Sequence, residues 1–404
     1  MSPARLTDLT ASLAVVLAGV VLALTLPAVK PALDADEGVY LRYAEELEAR
    51  GPAALPDLHT RFIHDRQLWE SPPPTRSGYL LLATCWGWVF GISFAALAAL
   101  SATCHLLTVA STYWLSRSHL GGGRAAALTW LVACSPLWLA VGRRVLTDAA
   151  ALLAVTVALW TFLTWLREPA RRGVRLGFVA SLTAALLIKE LSVLLAPVLL
   201  VVALIECRKR RRVADLPAVL GLLAVPGLLA AGIGVVAAGG PSPLLAVARI
   251  VLRSPASNTF AQAFCAGPWY RPLLDFLLLA PVTTLLGLAT LTALWLRPGG
   301  RNVEPDGVAM TVLLTVTLLE FAPLIKNVRY TALLDLPLRF GAVAALWDVK
   351  ARLPERWGRW VVLGGVGLLC GLDLVSFFEL FVAGGIYDPT SFNLLAARQL
   401  IPFR

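Results

Sequence analysis

The chain has 404 residues, 58% of them hydrophobic and 15% charged, with a mean hydropathy of +0.75. A soluble globular domain of that apolarity would leave far too much hydrocarbon in water, so composition predicts an all-α, polytopic membrane protein. The net charge of +10 is almost entirely arginine set in short clusters between apolar runs. The positive-inside rule accounts for that placement without invoking nucleic acid.

In chain order, the first apolar run covers residues 9–27 behind a weakly basic start at Arg5. It is longer than a signal-peptide core and has no small-residue cleavage site, which predicts an uncleaved anchor. Residues 28–92 form the first outer loop. There Asp34, Asp36 and Glu37 precede Val39, Tyr40, Tyr43 and Leu47, the acidic start of an amphipathic helix at the bilayer surface. Residues 78–91 are apolar but only about fourteen long, nearer a re-entrant or interfacial piece than a span. If they do not cross, Arg5 is cytoplasmic and the acidic loop is outside, and this is the reading taken.

Further spans are predicted at 93–115, 125–142, 149–166, 174–188, 191–206, 215–237, 272–296, 308–325, 330–348 and 359–382, about eleven in all. The basic connections, Arg117 to Arg124, Arg167 to Arg175, Arg208 to Arg212, Arg297 to Arg301 and Lys350 to Arg359, fall at every second turn. They mark one face as cytoplasmic. The other face collects Asp36, Glu37, Arg143, Arg144, Asp148, Lys189, Glu190, Asp275, Lys326 and Arg329. Ionisable groups at that depth turn towards protein or a wet cavity, so a polar pocket opening outward is expected. The fourth outer connection, residues 238–270, places Arg249 and Arg253 among aliphatic residues and reads as a basic amphipathic helix. The whole chain, 1–404, reads as one transmembrane domain with no separate soluble part.

Each candidate group has a plain structural alternative. Asp34 and Glu37 fit a capping box, which leaves Asp36 free to act as a base with Glu37 in support. In Arg143-Arg-Val-Leu-Thr-Asp148, Thr147 or Asp148 could cap the next helix, or Asp148 could be a second carboxylate with arginine ready for an anion. Lys189 interrupts an apolar stretch at a turn; it is a solvated charge or a phosphate-binding cation. Lys326 and Arg329 flank another outer turn, while Asp335 and Arg339 are spaced as an intrahelical pair. His59 and His64 stand near Asp57 and Asp65 without a zinc-site spacing. The six cysteines lack CxxC spacing and read as core residues, with a Cys85–Cys265 bond the one pairing considered. Gly121–Gly123 lacks the strand-to-helix setting of a nucleotide loop.

The segments DEGVYLRYAEELEARG, SPPPTRSGYLLL, RRVLTDAAALLAVTVALWTF, LLIKELSVLLAPVLLV, GPWYRPLLDFLLLAP and KNVRYTALLDLPLRFGAV, in this order, resemble the GT-C superfamily of polytopic glycosyltransferases. The protein O-mannosyltransferase and lipid A aminoarabinose transferase branches are most similar. The resemblance implies an inverting transfer of sugar from a polyprenyl-phosphate carrier to a hydroxyl on protein, lipid or glycan. It implies Asp36 as the base and Asp148 as the acidic residue of the next loop. Relatives in the aminoarabinose branch carry a lysine before the Pro-Pro of the first loop. Here the stretch is Trp69-Glu-Ser-Pro72, so a cation there has to come from Arg76 or elsewhere.

Lys189, Lys326, Arg329, Arg143 and Arg76 are thus the candidate phosphate ligands, and with so many cations no obligatory metal or other cofactor is expected. The setting expected is the outer face of a bacterial inner membrane. A transporter or flippase would show inverted repeats and mid-bilayer charges, and neither is evident. A ligase moving a preassembled glycan from a lipid carrier is the enzymatic alternative.

Overall fold

The computed structural model describes residues 2–209, 215–296 and 305–401, and among these every regular element is helical. In hydrocarbon each backbone polar group must be satisfied inside its own segment, which a helix does and a lone strand cannot. The chain opens with α1 (Pro3–Thr25), α2 (Asp36–Arg50), α3 (Leu55–His64), α4 (Ser77–Phe90) and α5 (Phe94–Leu120). Then come α6 (Gly122–Ala133), α7 (Pro136–Gly142), α8 (Asp148–Arg167), α9 (Arg172–Ile188), α10 (Leu195–Lys209) and α11 (Leu216–Ala237). The rest comprises α12 (Pro241–Ser257), α13 (Thr259–Phe264), α14 (Arg271–Leu279), α15 (Pro281–Leu296), α16 (Pro305–Phe321), α17 (Asp335–Ala351), α18 (Glu355–Phe377) and α19 (Ser391–Ala397).

Among the described residues six helices are long and apolar enough to cross a bilayer, or seven if the bent pair α6–α7 counts as one span. The chain is an integral, multi-pass membrane protein. Helix length does not establish the expected number of about eleven spans, because α9, α15, α16 and α17 have only 16 or 17 residues each.

Two expected spans are broken. Residues 125–142 bend by 59° between α6 and α7. There Ser135 caps α7 by accepting from Trp138 N, and Pro136 follows as its first residue, the place where a missing N–H costs nothing. Residues 272–296 divide into α14 and α15 at Ala280–Pro281 for the same reason.

Charged contacts mark two ends of the bundle. At one end Arg117 lies 3.5 Å from Asp8, and Asp306 joins His119 at 3.0 Å and Arg167 at 2.8 Å. At the other end lie the loops after α1, α7, α9, α16 and α18. Arg208 and Lys209 end α10; the expected basic positions 210–212, 297 and 301 lie outside the described residues.

The fate of residues 78–91 follows from these ends. They form α4, whose Gly78 faces the end of α9: a Cβ there would stand 2.7 Å from the Cβ of Leu187. The 27 residues of α5 span about 40 Å and finish at the Arg117 end. With 14 residues α4 is short for a span, whereas α5 is long and apolar enough to cross.

Between α1 and α4, α2 packs on α4 through Tyr40 and Tyr79, edge to face at 5.0 Å. Tyr43 donates to the Pro72 carbonyl at 3.3 Å. The expected basic amphipathic helix is α12, which rests on α3 where Gly239 meets Pro56. All six cysteines are free, so Cys85 and Cys265 are not joined.

Candidate active site

The site is built where five connections meet at the end of the bundle opposite Asp8 and Arg117. Its hub is Arg329, in the loop between α16 and α17. One guanidinium nitrogen, Nη2, lies 3.2 Å from Asp36 Oδ2 and 3.3 Å from Asp148 Oδ2, and Nη1 lies 3.6 Å from Asp388 Oδ1. Burial alone would lower the affinity of this guanidinium for its proton, yet Asp148, Asp388 and Asp36 hold its pKa well above the usual range. Arg329 Nε has no hydrogen-bond partner.

Asp148 is the first residue of α8. Its side chain is 1% exposed, and Lys189 Nζ donates to its Oδ1 at 2.6 Å. A capping role is not what the structure shows: Thr147 makes no side-chain cap on α8, and the Asp148 carboxylate turns to Lys189 and Arg329. Lys189 is also buried, 5.0 Å from the ring centre of Tyr330. Loss of hydration lowers its pKa, against the pull of Asp148. It is therefore no solvated turn charge.

Asp36 differs in kind, its side chain being 32% exposed. Its neighbour Glu37 is fully buried and accepts from Ala32 N at 2.9 Å and Val145 N at 3.0 Å, with Arg144 at 3.4 Å. The capping box expected at Asp34 is thus absent. α2 starts two residues later with Ala35 as its N-cap and no side-chain cap. Glu37 instead fastens the start of α2 to the loop before α8. Gly38 makes that turn possible, since a Cβ there would stand 1.8 Å from the Leu33 carbonyl oxygen.

The remaining expected cations do not join the hub. Arg76 donates from Nε to Glu190 at 3.0 Å and from Nη2 at 3.1 Å, while Nη1 reaches the Tyr40 hydroxyl. All its nitrogens are engaged in a clamp between α4 and the turn after α9. Lys326 Nζ donates to the Ala322 carbonyl at 2.6 Å and so closes the end of α16. Arg143 is buried on the far side of the Arg143–Asp148 loop, 5.5 Å from the Phe377 ring centre. Asp335 and Arg339 do form the expected pair, at 2.6 Å, but Arg339 also holds Asp373 at 2.6 Å inside the bundle.

Sequence reasoning missed Asp388, which Asn327 Nδ2 contacts at 2.8 Å and whose carboxyl is raised by burial, against the pull of Arg329. The signal available was the polar segment Tyr387-Asp388-Pro389-Thr390, which follows the last expected span, 359–382.

A shallow, open cleft runs from this hub between α8, α10 and α16. Asp148, Lys189, Arg329 and Tyr330 line its polar end, and Leu152, Val155, Leu194, Leu195, Phe321 and Leu333 line the remainder. Such a shape suits a long apolar chain with an anionic head. Among the described residues no group of three or more His, Cys, Asp or Glu side chains has metal-holding geometry.

Known proteins agree with this architecture. The family model for dolichyl-phosphate-mannose-protein mannosyltransferases matches residues 79–231. ArnT from Cupriavidus metallidurans in the apo state superposes with a TM-score of 0.57 at 19% identity, over 95% of this chain and 68% of that one. The chain has the fold of the GT-C membrane glycosyltransferases. The ArnT structure bound to undecaprenyl phosphate gives a TM-score of 0.56 at 19% identity, over 98% of this chain and 77% of that one. The oligosaccharyltransferase of Archaeoglobus fulgidus in its apo form gives 0.60 at 12% identity, over 95% of this chain and 56% of that one. This chain therefore spans little more than half of that larger GT-C protein. Comparison with curated protein sequences returned no match.

Proposed function

We propose that this GT-C chain is an inverting glycosyltransferase that moves a sugar from a polyprenyl-phosphate carrier to a hydroxyl acceptor. The observation that carries this reading is Arg329, which lines the charged end of a largely apolar cleft and contacts the partly exposed carboxylate of Asp36. A polyprenyl tail occupies the cleft, and its phosphate meets Lys189 and the unpartnered Nε of Arg329. ArnT, with the same fold, has been crystallised bound to undecaprenyl phosphate.

Asp36 takes the proton of the acceptor hydroxyl as that oxygen attacks the anomeric carbon from the side opposite the phosphate. The bond from the anomeric carbon to the phosphate oxygen breaks, and its electron pair leaves with the carrier phosphate. Lys189 and Arg329 stabilise the charge that develops there, already aimed and largely dry. Asp148 keeps both cations in place. Since these two cations supply the needed positive charge, the reading includes no obligatory metal. Glu37 holds Asp36 at the mouth of the site by anchoring α2, and Arg76 fixes the approach of α4.

The reading places this mouth on the exoplasmic side of a bacterial plasma membrane, opposite the arginine-rich turns. Asp36→Cys should then be labelled by an impermeant thiol reagent from outside, and Lys209→Cys only after permeabilisation. Labelling of both from one side would refute that orientation. The activity itself is tested by incubating purified protein with labelled polyprenyl-phosphate hexoses and pentoses. Loss of sugar from at least one carrier, with inversion at the anomeric carbon, is the expected result, and no loss from any of them would end the proposal.

A further inference from the structure

Charged side chains inside expected spans are costly to bury, and three of them, Asp335, Arg339 and Asp373, have no part in the chemistry proposed above. Arg339 Nε donates to Asp335 Oδ2 and its Nη1 to Asp373 Oδ2, each at 2.6 Å. The contacts do not stop there. Nη1 also donates to the Leu131 carbonyl of α6 at 2.6 Å, and Asp335 Oδ2 also accepts from Ser135 Oγ, just before α7, at 2.6 Å.

The break between α6 and α7 makes both of these contacts available. In a continuous helix the Leu131 carbonyl would accept from Ser135 N. Here Ser135 N turns to the Val132 carbonyl at 3.2 Å, and Pro136 has no N–H to offer. The freed carbonyl at the end of α6 meets a cation, the favourable sign at a helix C-terminus. Ser135 Oγ accepts from Trp138 N at 3.1 Å while it donates to Asp335. The fully buried indole of Trp138 then adds a contact of its own, Nε1 donating to the Ala332 carbonyl at 3.0 Å.

These bonds lie between the two loops that form the hub. The loop carrying Arg329 runs on through Ala332 into α17 at Asp335, and α7 holds both of those residues. At its other end α7 runs out at Gly142 into the loop that delivers Asp148. The helix is therefore bonded to one loop and continuous with the other. The 3.3 Å contact of Arg329 with Asp148 is where the two loops meet.

We propose that α7 is a brace that sets Arg329 against Asp148, with Trp138 as a positioning residue for recognition of the carrier phosphate and the Ser135–Asp335–Arg339 chain as its footing. The phosphate part rests on the glycosyltransferase reading; the brace rests on the bonds that join α7 to the Arg329 loop. It gives the buried charges of α17 and α18 a task beyond pairing with each other: they hold a broken helix at a fixed distance from the reaction centre.

The test uses the full chain in detergent, well below its unfolding temperature. Binding of a polyprenyl phosphate and of the matching polyprenol is measured alongside sugar transfer. Trp138→Phe keeps an aromatic ring and removes the indole N–H. It should cut both the preference for phosphate over alcohol and the transfer rate at saturating donor by about tenfold, with binding of the alcohol unchanged. Ser135→Ala should act in the same direction, and it decides if Trp138→Phe does not fold. Thr283→Val controls for stability: it removes the 3.3 Å bond to Asp373, which reaches neither α7 nor the Arg329 loop, and should leave preference and rate near wild type. Wild-type preference in the folded deciding variant, or an equal loss in Thr283→Val, overturns the proposal. If wild type does not tell the phosphate from the alcohol, the donor reading fails and unfolding temperatures decide on the brace. The losses in Trp138→Phe and Asp148→Asn should then sum to more than the loss in the double variant, because the first change already loosens the Arg329–Asp148 contact. Additive losses would overturn the brace as well.

Discussion

Asp36→Asn should lower sugar transfer by about 10²-fold or more while expression and unfolding temperature stay close to wild type. The amide keeps the size of the side chain and an oxygen for Arg329, so the loop has no reason to rearrange. What it loses is the capacity to accept a proton. Asp36 is singled out over Asp148 by access: their side chains are 32% and 1% exposed, and only Asp148 carries a lysine at 2.6 Å. The check is the rate of transfer from a labelled carrier by purified protein across a pH series. Loss of the alkaline-rising limb along with the rate marks a base. A near wild-type rate in the variant would remove Asp36 from that role.

Arg329→Gln should abolish measurable transfer and also destabilise the fold. Three carboxylates, Asp36, Asp148 and Asp388, lie within 3.2 to 3.6 Å of its guanidinium. Removing one partner from a buried ion pair typically costs about 3–5 kcal/mol, because the remaining charge is left without compensation. The double variant Arg329→Gln, Asp148→Asn should recover part of the unfolding temperature, since the most deeply buried of those carboxylates is then neutral. It should recover no transfer, because the phosphate ligand is still missing. An Arg329→Gln protein that unfolds and turns over like wild type would show the hub to be dispensable.

The fold was largely legible because a membrane chain announces its helices by apolarity and its faces by arginine. The start of α8 at Asp148, the short α4 and the amphipathic α12 all fell where hydropathy put them. The breaks at Pro136 and Pro281 were not read, although proline at a first helical position is a local signal. The site was legible as a set of charges on one side, but not as a geometry. Sequence cannot say which of several cations meets which carboxylate across 41 or 181 residues, as Lys189 and Arg329 do with Asp148.

Three of the expected phosphate ligands have other partners than the hub. Arg76 finds Glu190 and Tyr40, Lys326 finds the end of its own helix, and Arg143 finds the Phe377 ring. Glu37 was expected to support Asp36 or to close a capping box. Its carboxylate is consumed by two backbone amides, a demand set by how the chain turns between α1 and α2 and visible only once that turn is built. Asp388 was overlooked because it lies beyond the last expected span, in the short connection before α19.

The most direct measurement of the central claim compares binding of a polyprenyl phosphate with binding of the matching polyprenol, in wild type and in Lys189→Gln. The charged end of the cleft predicts that wild type holds the phosphate about tenfold or more tighter than the alcohol. In Lys189→Gln that preference should shrink while binding of the alcohol is unchanged. Equal affinity for the two lipids in wild type, or an undiminished preference in the variant, would contradict the account.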